Sequence, residues 1–438
     1  MNHPELVDDE LLDKVLNQEP PSGKVYRTSI TVLEACGNTI EWHDHIGDDE
    51  LSSILSTIPS CANSKQSGGK AMRVIFIQNE YKAEALQAVT LPPITKKILR
   101  EGGLSGPLMC ELASPDLKWD KMGDSRFVSN HPDQTLKSFE ISYRQQAGWG
   151  NQIGANALLP FTQFTRTENL STYFCINYPP RAFQRLKRHA KEDPLLLSRE
   201  FFIDALAADE CLRAWKSTIG ATRDVLIRFE LQIDEKHIHS DTLALHRLSK
   251  TWHMLAQDIS DLLAQLHFLQ KSYGEYMALL QDPRNDWAVD LSSNAKESFE
   301  ALESRCHVYA RWILNYRDRT NIRINLLFHL SNQIEARTQR EIAALSARIA
   351  EQTQRDSSSM ITIAAVTMLF LPGTFVSAIL STTFFDYGRD GLAVSGQWWI
   401  LPAATFPLMV LVFGVWLAWQ RRLVGKGEVV MREREKMA

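Results

Sequence analysis

The sequence predicts an α+β chain: a cytosolic α/β domain, then a long helical stalk, then two C-terminal transmembrane helices. Three observations predict it. Short apolar runs bounded by turn residues fill the first 180 positions. After Pro180 the apolar residues move to three-four spacing, the period of amphipathic helices. Two apolar segments, residues 360–380 and 398–419, lie near the C-terminus. Each holds about 20 residues, enough to cross a hydrocarbon core of roughly 30 Å.

The composition fits that division. The chain has 438 residues, 44% of them hydrophobic and 23% charged, an ordinary globular mixture. Its mean hydropathy of −0.22 makes the membrane part a minority. A formal net charge of −4 offers no basic field for phosphates, so a nucleic-acid partner is not expected. The six cysteines (Cys36, Cys61, Cys110, Cys175, Cys211, Cys306) are scattered without a CxxC pair. They read as reduced thiols of a cytosolic domain, not as a disulfide frame or zinc site. Met1 is not followed by a basic and then apolar stretch, so no signal peptide is expected.

Taken in order, residues 1–25 are acidic, contain Pro20-Pro21 and are expected to be disordered. Residues 26–180 form the α/β domain. Residues 72–77 read as a buried strand, 94–100 as helical, and 139–143 and 173–178 as strands, the last stopped by Pro179-Pro180. Residues 63–70 are a loop, and strand order is not legible. Residues 181–358 form the helical region. Residues 181–191 and 198–215 are amphipathic, and 242–281 carry a stripe of Leu243, Leu245, Leu248, Trp252, Leu255, Ile259, Leu263 and Leu266. Asp282-Pro283-Arg284 breaks that helix. A second helix starts near Asn294 and meets neither Pro nor Gly until Pro372. At 1.5 Å per residue it is on the order of 100 Å long.

That helix carries a seam of Ile342, Leu345, Ile349, Asp356, Met360, Ile363, Thr367, Phe370 and Thr374. Its three-four spacing, with one step of seven at Asp356, predicts packing against copies of itself, as in a coiled coil, or against neighbouring helices. The seam turns polar over residues 352–359, which suits a ring of helices around a wet axis. The first span is placed at 359–381, the connecting loop at 382–397 and the second span at 398–420. The remaining 421–438 form a tail with Arg421, Arg422, Lys426, Arg432, Arg434 and Lys436 against three glutamates. The excess of basic residues puts this tail, and with two spans the N-terminal domain also, in the cytosol.

Other motifs read as bland. His43-Asp44-His45 and His237-Ile238-His239 sit in polar, looped surroundings and are expected to be surface histidines. His246 and His253 are seven apart on a helix and are expected to pack. Asp48, Asp49 and Glu50 read as a solvated loop. Neither the glycines at 148–154 nor Ser67-Gly68-Gly69-Lys70 has the spacing of a nucleotide site. Asn169-Leu170-Ser171 is a glycosylation sequon expected to be silent in a cytosolic domain. No nucleophile–base arrangement stands out, so no enzyme activity and no cofactor are expected.

Ser357-Ser358-Ser359-Met360-Ile361-Thr362-Ile363, followed by Met368-Leu369-Phe370-Leu371-Pro372-Gly373-Thr374-Phe375-Val376, closely resembles the signature of the CorA-type divalent-cation transporters, in particular their fungal CorA-like relatives. The resemblance is strongest over residues 319–419. It implies a homopentamer in membrane lipid that passes Mg²⁺ or a related divalent cation through a pore lined by the first span. Met360 and Ile363 would form a hydrophobic constriction, followed by Thr367, Leu371 and Thr374. The family's Gly-Met-Asn at the pore mouth is replaced here by Ser381-Thr382-Thr383. A Thr383 hydroxyl is a weaker dipole than an amide carbonyl, so strict Mg²⁺ selectivity is not implied. Asp386 and Asp390 in the loop would concentrate cations at the mouth. The alternative is a non-conducting scaffold or sensor on the same fold; a third reading is a soluble protein with a simple tail anchor.

Overall fold

The computed structural model describes residues 5–19, 28–57, 59, 71–79, 91–113, 123–146, 160–231, 237–285, 287, 295–388, 391–394 and 396–435. The chain divides into two units, Met1–His329 and Leu330–Ala438.

Gly37 starts the first unit's sheet. Its φ of +59° opens a two-residue turn between β1 (Thr28–Cys36) and β2 (Thr39–His43), a position where glycine carries no side-chain penalty. Five more strands follow: β3 (Ala71–Asn79), β4 (Ser125–Asn130), β5 (Leu136–Arg144), β6 (Phe161–Arg166) and β7 (Leu170–Ile176). They form one sheet in the order β2-β1-β3-β7-β6-β5-β4. Every neighbouring pair is antiparallel except β3–β7, which is parallel from Ala71↔Leu170 to Ile77↔Ile176.

Alternation along the strands gives the sheet two buried faces. One carries Ile30, Val32, Ile75, Ile77, Phe161, Phe174 and Ile176. It packs under α1 (Asp9–Asn17), α2 (Asp48–Ser56), α3 (Pro93–Glu101) and α4 (Gly106–Ala113) through Leu12, Val15, Leu51, Leu99 and Leu108. The other face carries aromatics. Phe76 meets Tyr178 and Phe183, while Phe139 and Phe164 meet Tyr276. Its cover is α5 (Pro180–Glu192), a 3-10 turn (Pro194–Ser198), α6 (Phe202–Leu231) and α7 (Ile238–Leu280).

The fold class read from the sequence is the one observed: a mixed α/β domain with a seven-stranded sheet, long helices, and two C-terminal apolar helices. The strands expected at 72–77, 139–143 and 173–178 are β3, β5 and β7, and the helix expected at 94–100 is α3. On α7, Leu245, Leu248, Trp252, Leu255, Ile259 and Leu266 are buried, but Leu243 is exposed.

Several expectations are corrected. Within residues 1–25, expected to be disordered, residues 9–17 form α1. Asp8 caps it by accepting from Glu10 N and Leu11 N, and Leu12 and Val15 bury one face. Lys96 holds it by donating from Nζ to Val15 O at 2.6 Å and Gln18 O at 2.7 Å. Cys36 is disulfide-bonded, against the expectation of reduced thiols. Cys175, Cys211 and Cys306 are free thiols. Asp48, Asp49 and Glu50 form the first turn of α2, where carboxylates complement the helix dipole. Asp48 accepts from Thr95 Oγ1 at 2.6 Å. His45, His237 and His239 are exposed as expected, whereas His43 ends a strand and is half-buried, and His237 takes the N-cap position of α7 rather than a loop. His246 and His253 are exposed and do not pack. The loop at 63–70 and the glycines at 148–154 lie outside the described residues.

Candidate functional site: the two apolar helices

The long helix α8 (Ala295–Phe384) spans 90 residues without a break, including Pro372. Its first part belongs to the first unit. There Trp252 stacks on Tyr316 and donates from Nε1 to Thr320 Oγ1 at 3.0 Å. The rest lies in the second unit. It is followed by a short hairpin of β8 (Phe385–Gly388) and β9 (Gly391–Val394), then by α9 (Ile400–Glu435). Two helical stretches are long and apolar enough to cross a membrane, one in α8 and one in α9, and almost nothing in either is buried within one chain.

The faces of the two helices divide by chemistry. On α8, Ala364, Ala365, Met368, Pro372, Gly373, Val376 and Ser377 are partly or fully covered. On α9 the covered residues include Leu401, Thr405, Met409, Val412, Phe413 and Trp416, again at three-four spacing. They meet at Gly373, where a Cβ would lie 3.7 Å from Thr405 Cγ2. Small residues at such a crossing let two membrane helices approach closely.

Met360, Ile363, Thr367, Leu371 and Thr374 all lie on the uncovered face of α8. Met360 is 73% exposed and Leu371 66%. Thr367 Oγ1 donates to Ile363 O at 3.0 Å and Ala364 O at 2.9 Å, and Thr374 Oγ1 donates to Phe370 O at 3.1 Å and Leu371 O at 3.0 Å. A hydroxyl whose hydrogen is committed to the helix presents only lone pairs outward. Ile342, Leu345 and Ile349, further up the same seam, are likewise exposed.

Ser381, Thr382 and Thr383 are in the last turn of α8, with side chains outside the described set. Asp386 is on β8, paired with Ala393 of β9, so part of the expected loop is a hairpin. Asp390 lies outside the described residues. The structure also brings together a group that the sequence reading did not connect: Glu34, Glu41 and His43, on adjacent strands. The signal was present, since the Gly37 turn fixes the register that puts Glu41 opposite Glu34.

No protein-family model matches the sequence. Among curated proteins, the Notoamide biosynthesis cluster protein M' of Aspergillus versicolor is 30% identical over 146 residues, covering 26% of this chain and 32% of that protein. The chain thus spans about a third of that relative's length. Similar solved structures include the full-length CmaX protein, 12% identical over 91% of this chain and 100% of that one, with a TM-score of 0.41. The complete CorA magnesium transporter from Methanocaldococcus jannaschii is 14% identical over 89% and 98%, with a TM-score of 0.42. The ZntB cytoplasmic domain from Vibrio parahaemolyticus is 9% identical over 70% and 99%, with a TM-score of 0.41.

Proposed function

We propose that the chain is a CorA-like integral membrane transporter, in which five copies pass a divalent cation through a pore lined by α8. The observation that carries this reading is the split between the helix faces. Gly373 and its neighbours pack on α9, while Met360, Ile363, Thr367, Leu371 and Thr374 form an unpartnered row on the opposite side. A second copy of the same row would cover it, and a ring of copies would enclose an axis alternately apolar and hydroxylated. Met360 and Ile363 then form a constriction that closes by dewetting. Thr367 and Thr374 offer lone pairs to a hydrated ion. Both termini lie in the cytosol, the plasma membrane being the favoured location, and the segment joining the two spans lies on the opposite side of the membrane. Moving two charges through 100 mV yields about 4.6 kcal/mol, so the membrane potential suffices to drive entry. The ion is Mg²⁺ or a related divalent cation, and no resident cofactor takes part.

The test is flux of Mg²⁺, Co²⁺ and Ni²⁺ into vesicles containing the purified chain, with Thr374→Lys as the blocked control. Flux that Thr374→Lys abolishes supports the reading; no flux of any divalent ion refutes it. The second reading, a non-conducting scaffold or sensor, is favoured by Ser381-Thr382-Thr383 in place of Gly-Met-Asn. It predicts a pentameric mass in mild detergent without flux, whereas a tail-anchored soluble protein predicts a monomer.

A further inference from the structure

The β1–β2 pairing sets Glu34 directly opposite Glu41. Like charges facing each other across a strand pair repel. His43 follows Glu41 by two residues and shares its face of the sheet. One ligand atom from each of Glu34, Glu41 and His43 lies within 4.8 Å of the other two.

Each of the three has an orienting partner or an open lone pair. His43 Nδ1 is 3.3 Å from Glu50 Oε1, on the first turn of α2. A hydrogen carried on Nδ1, facing that carboxylate, would leave Nε2 as a lone pair. Nε2 is shielded from solvent, has no hydrogen-bond partner among the described residues, and lies 4.0 Å from Glu41 Oε2. Glu34 Oε1 accepts from Arg73 Nε at 2.9 Å and Nη2 at 2.7 Å, which fixes the carboxylate and leaves Oε2 uncommitted by those bonds. Arg73 is itself anchored by donating to Thr57 O at 2.7 Å. A cavity of about 420 Å³, lined by Glu34, Glu41, Ser53, Thr57 and Arg73 among others, opens beside the cluster and has room for an ion's water ligands.

We propose that Glu34, Glu41 and His43 Nε2 bind one divalent transition-metal ion of the zinc class, with Glu50 as the positioning residue for the imidazole. One imidazole and two carboxylates suit Zn²⁺, whereas Mg²⁺ favours an all-oxygen shell and keeps its waters. Ligand bonds of about 2.0–2.2 Å require the donors to draw in by roughly 1 Å. Glu41, whose side chain is 67% exposed, is free to swing inward. The bound cation removes the repulsion between Glu34 and Glu41. The Arg73 charge beside Glu34 tempers the affinity, so the ion exchanges with the medium instead of being locked in. The site lies wholly within the first unit and does not depend on the transport reading.

The test is titration of the metal-stripped full-length chain in detergent with Zn²⁺, followed by calorimetry, and with Co²⁺, followed by visible absorption. Circular dichroism checks the fold of each variant. The expected result is one Zn²⁺ per chain that is lost in His43→Gln and weakened at least tenfold in Glu41→Gln. Glu50→Gln should keep the stoichiometry and lose affinity roughly 10- to 100-fold. The nitrogen-ligated Co²⁺ band should vanish in His43→Gln and persist in Asp49→Asn. Wild-type stoichiometry and affinity in both His43→Gln and Glu41→Gln would overturn the proposal, as would no Zn²⁺ binding by the wild-type chain. Binding equally displaced by Mg²⁺ would overturn the assignment to a transition metal.

Discussion

Tyr143 donates its hydroxyl hydrogen to Asp204 Oδ1 at 2.6 Å, and Tyr173 donates to the other oxygen of the same carboxylate at 2.8 Å. All three side chains are buried between the sheet and α6. Replacing Tyr143 with Phe removes a donor from a buried charge. The expected loss is about 1.5–3 kcal/mol of stability near pH 7, read from thermal or denaturant unfolding of the purified chain.

The same carboxylate sets a pH dependence. Burial pushes Asp204 up to about 6 against the opposing pull of the two phenols. An unfolded aspartate titrates near 4. Between those values the folded chain holds the extra proton, so this contribution stabilises the fold at acid pH and is lost as pH rises through about 6. Melting temperatures of Asp204→Asn between pH 4 and 7 should therefore fall less steeply with rising pH than those of the wild type. Parallel curves would refute the assignment to Asp204.

Lys96 reaches two carbonyls at the end of α1, and burial lowers its ordinary pKa. Lys96→Met keeps the stem and removes both donations. Amide hydrogen exchange over residues 9–17 should accelerate, with little change in β3 or β7. Uniform acceleration would show that Lys96 serves the whole unit.

A Cβ added at Gly373 would make only an ordinary contact with Thr405 Cγ2, at 3.7 Å. Gly373→Ala should be near neutral. Gly373→Leu should drive α8 and α9 apart and cost about 1–3 kcal/mol, seen as a lower melting temperature in detergent.

Met360 supplies the bulk of the proposed constriction. Met360→Ser should raise basal divalent flux in vesicles by weakening the dewetted barrier, while Met360→Leu should leave it close to the wild-type rate. No difference between the two would place the gate elsewhere.

The long-range pattern was legible where periodicity speaks. Leu245 to Leu266 on α7, the unbroken run after residue 294 and the two apolar segments all declare themselves through spacing. The row from Met360 to Thr374 was legible because a helix repeats its face every three or four residues. What was not legible depends on pairing between distant segments. The order of the seven strands is set by which edges meet, which no local pattern encodes. Residues 9–17 do carry a local helix signal, an Asp8 cap and an amphipathic set of Leu11, Leu12, Val15 and Leu16, which the acidic, proline-bearing composition of residues 1–25 masks. The disulfide at Cys36 depends on a geometry that no local pattern encodes.

The parallel join between β3 and β7 has a consequence for synthesis on the ribosome. Ala71 must wait for Leu170, about 100 residues later in the chain. At roughly 5–20 residues per second that is an interval of about 5–20 s. Throughout it the apolar strand Met72 to Ile77 has one finished neighbour, β1, and one bare edge. The nascent chain is therefore most open to aggregation and to capture by chaperones in that interval, before β7 has left the exit tunnel.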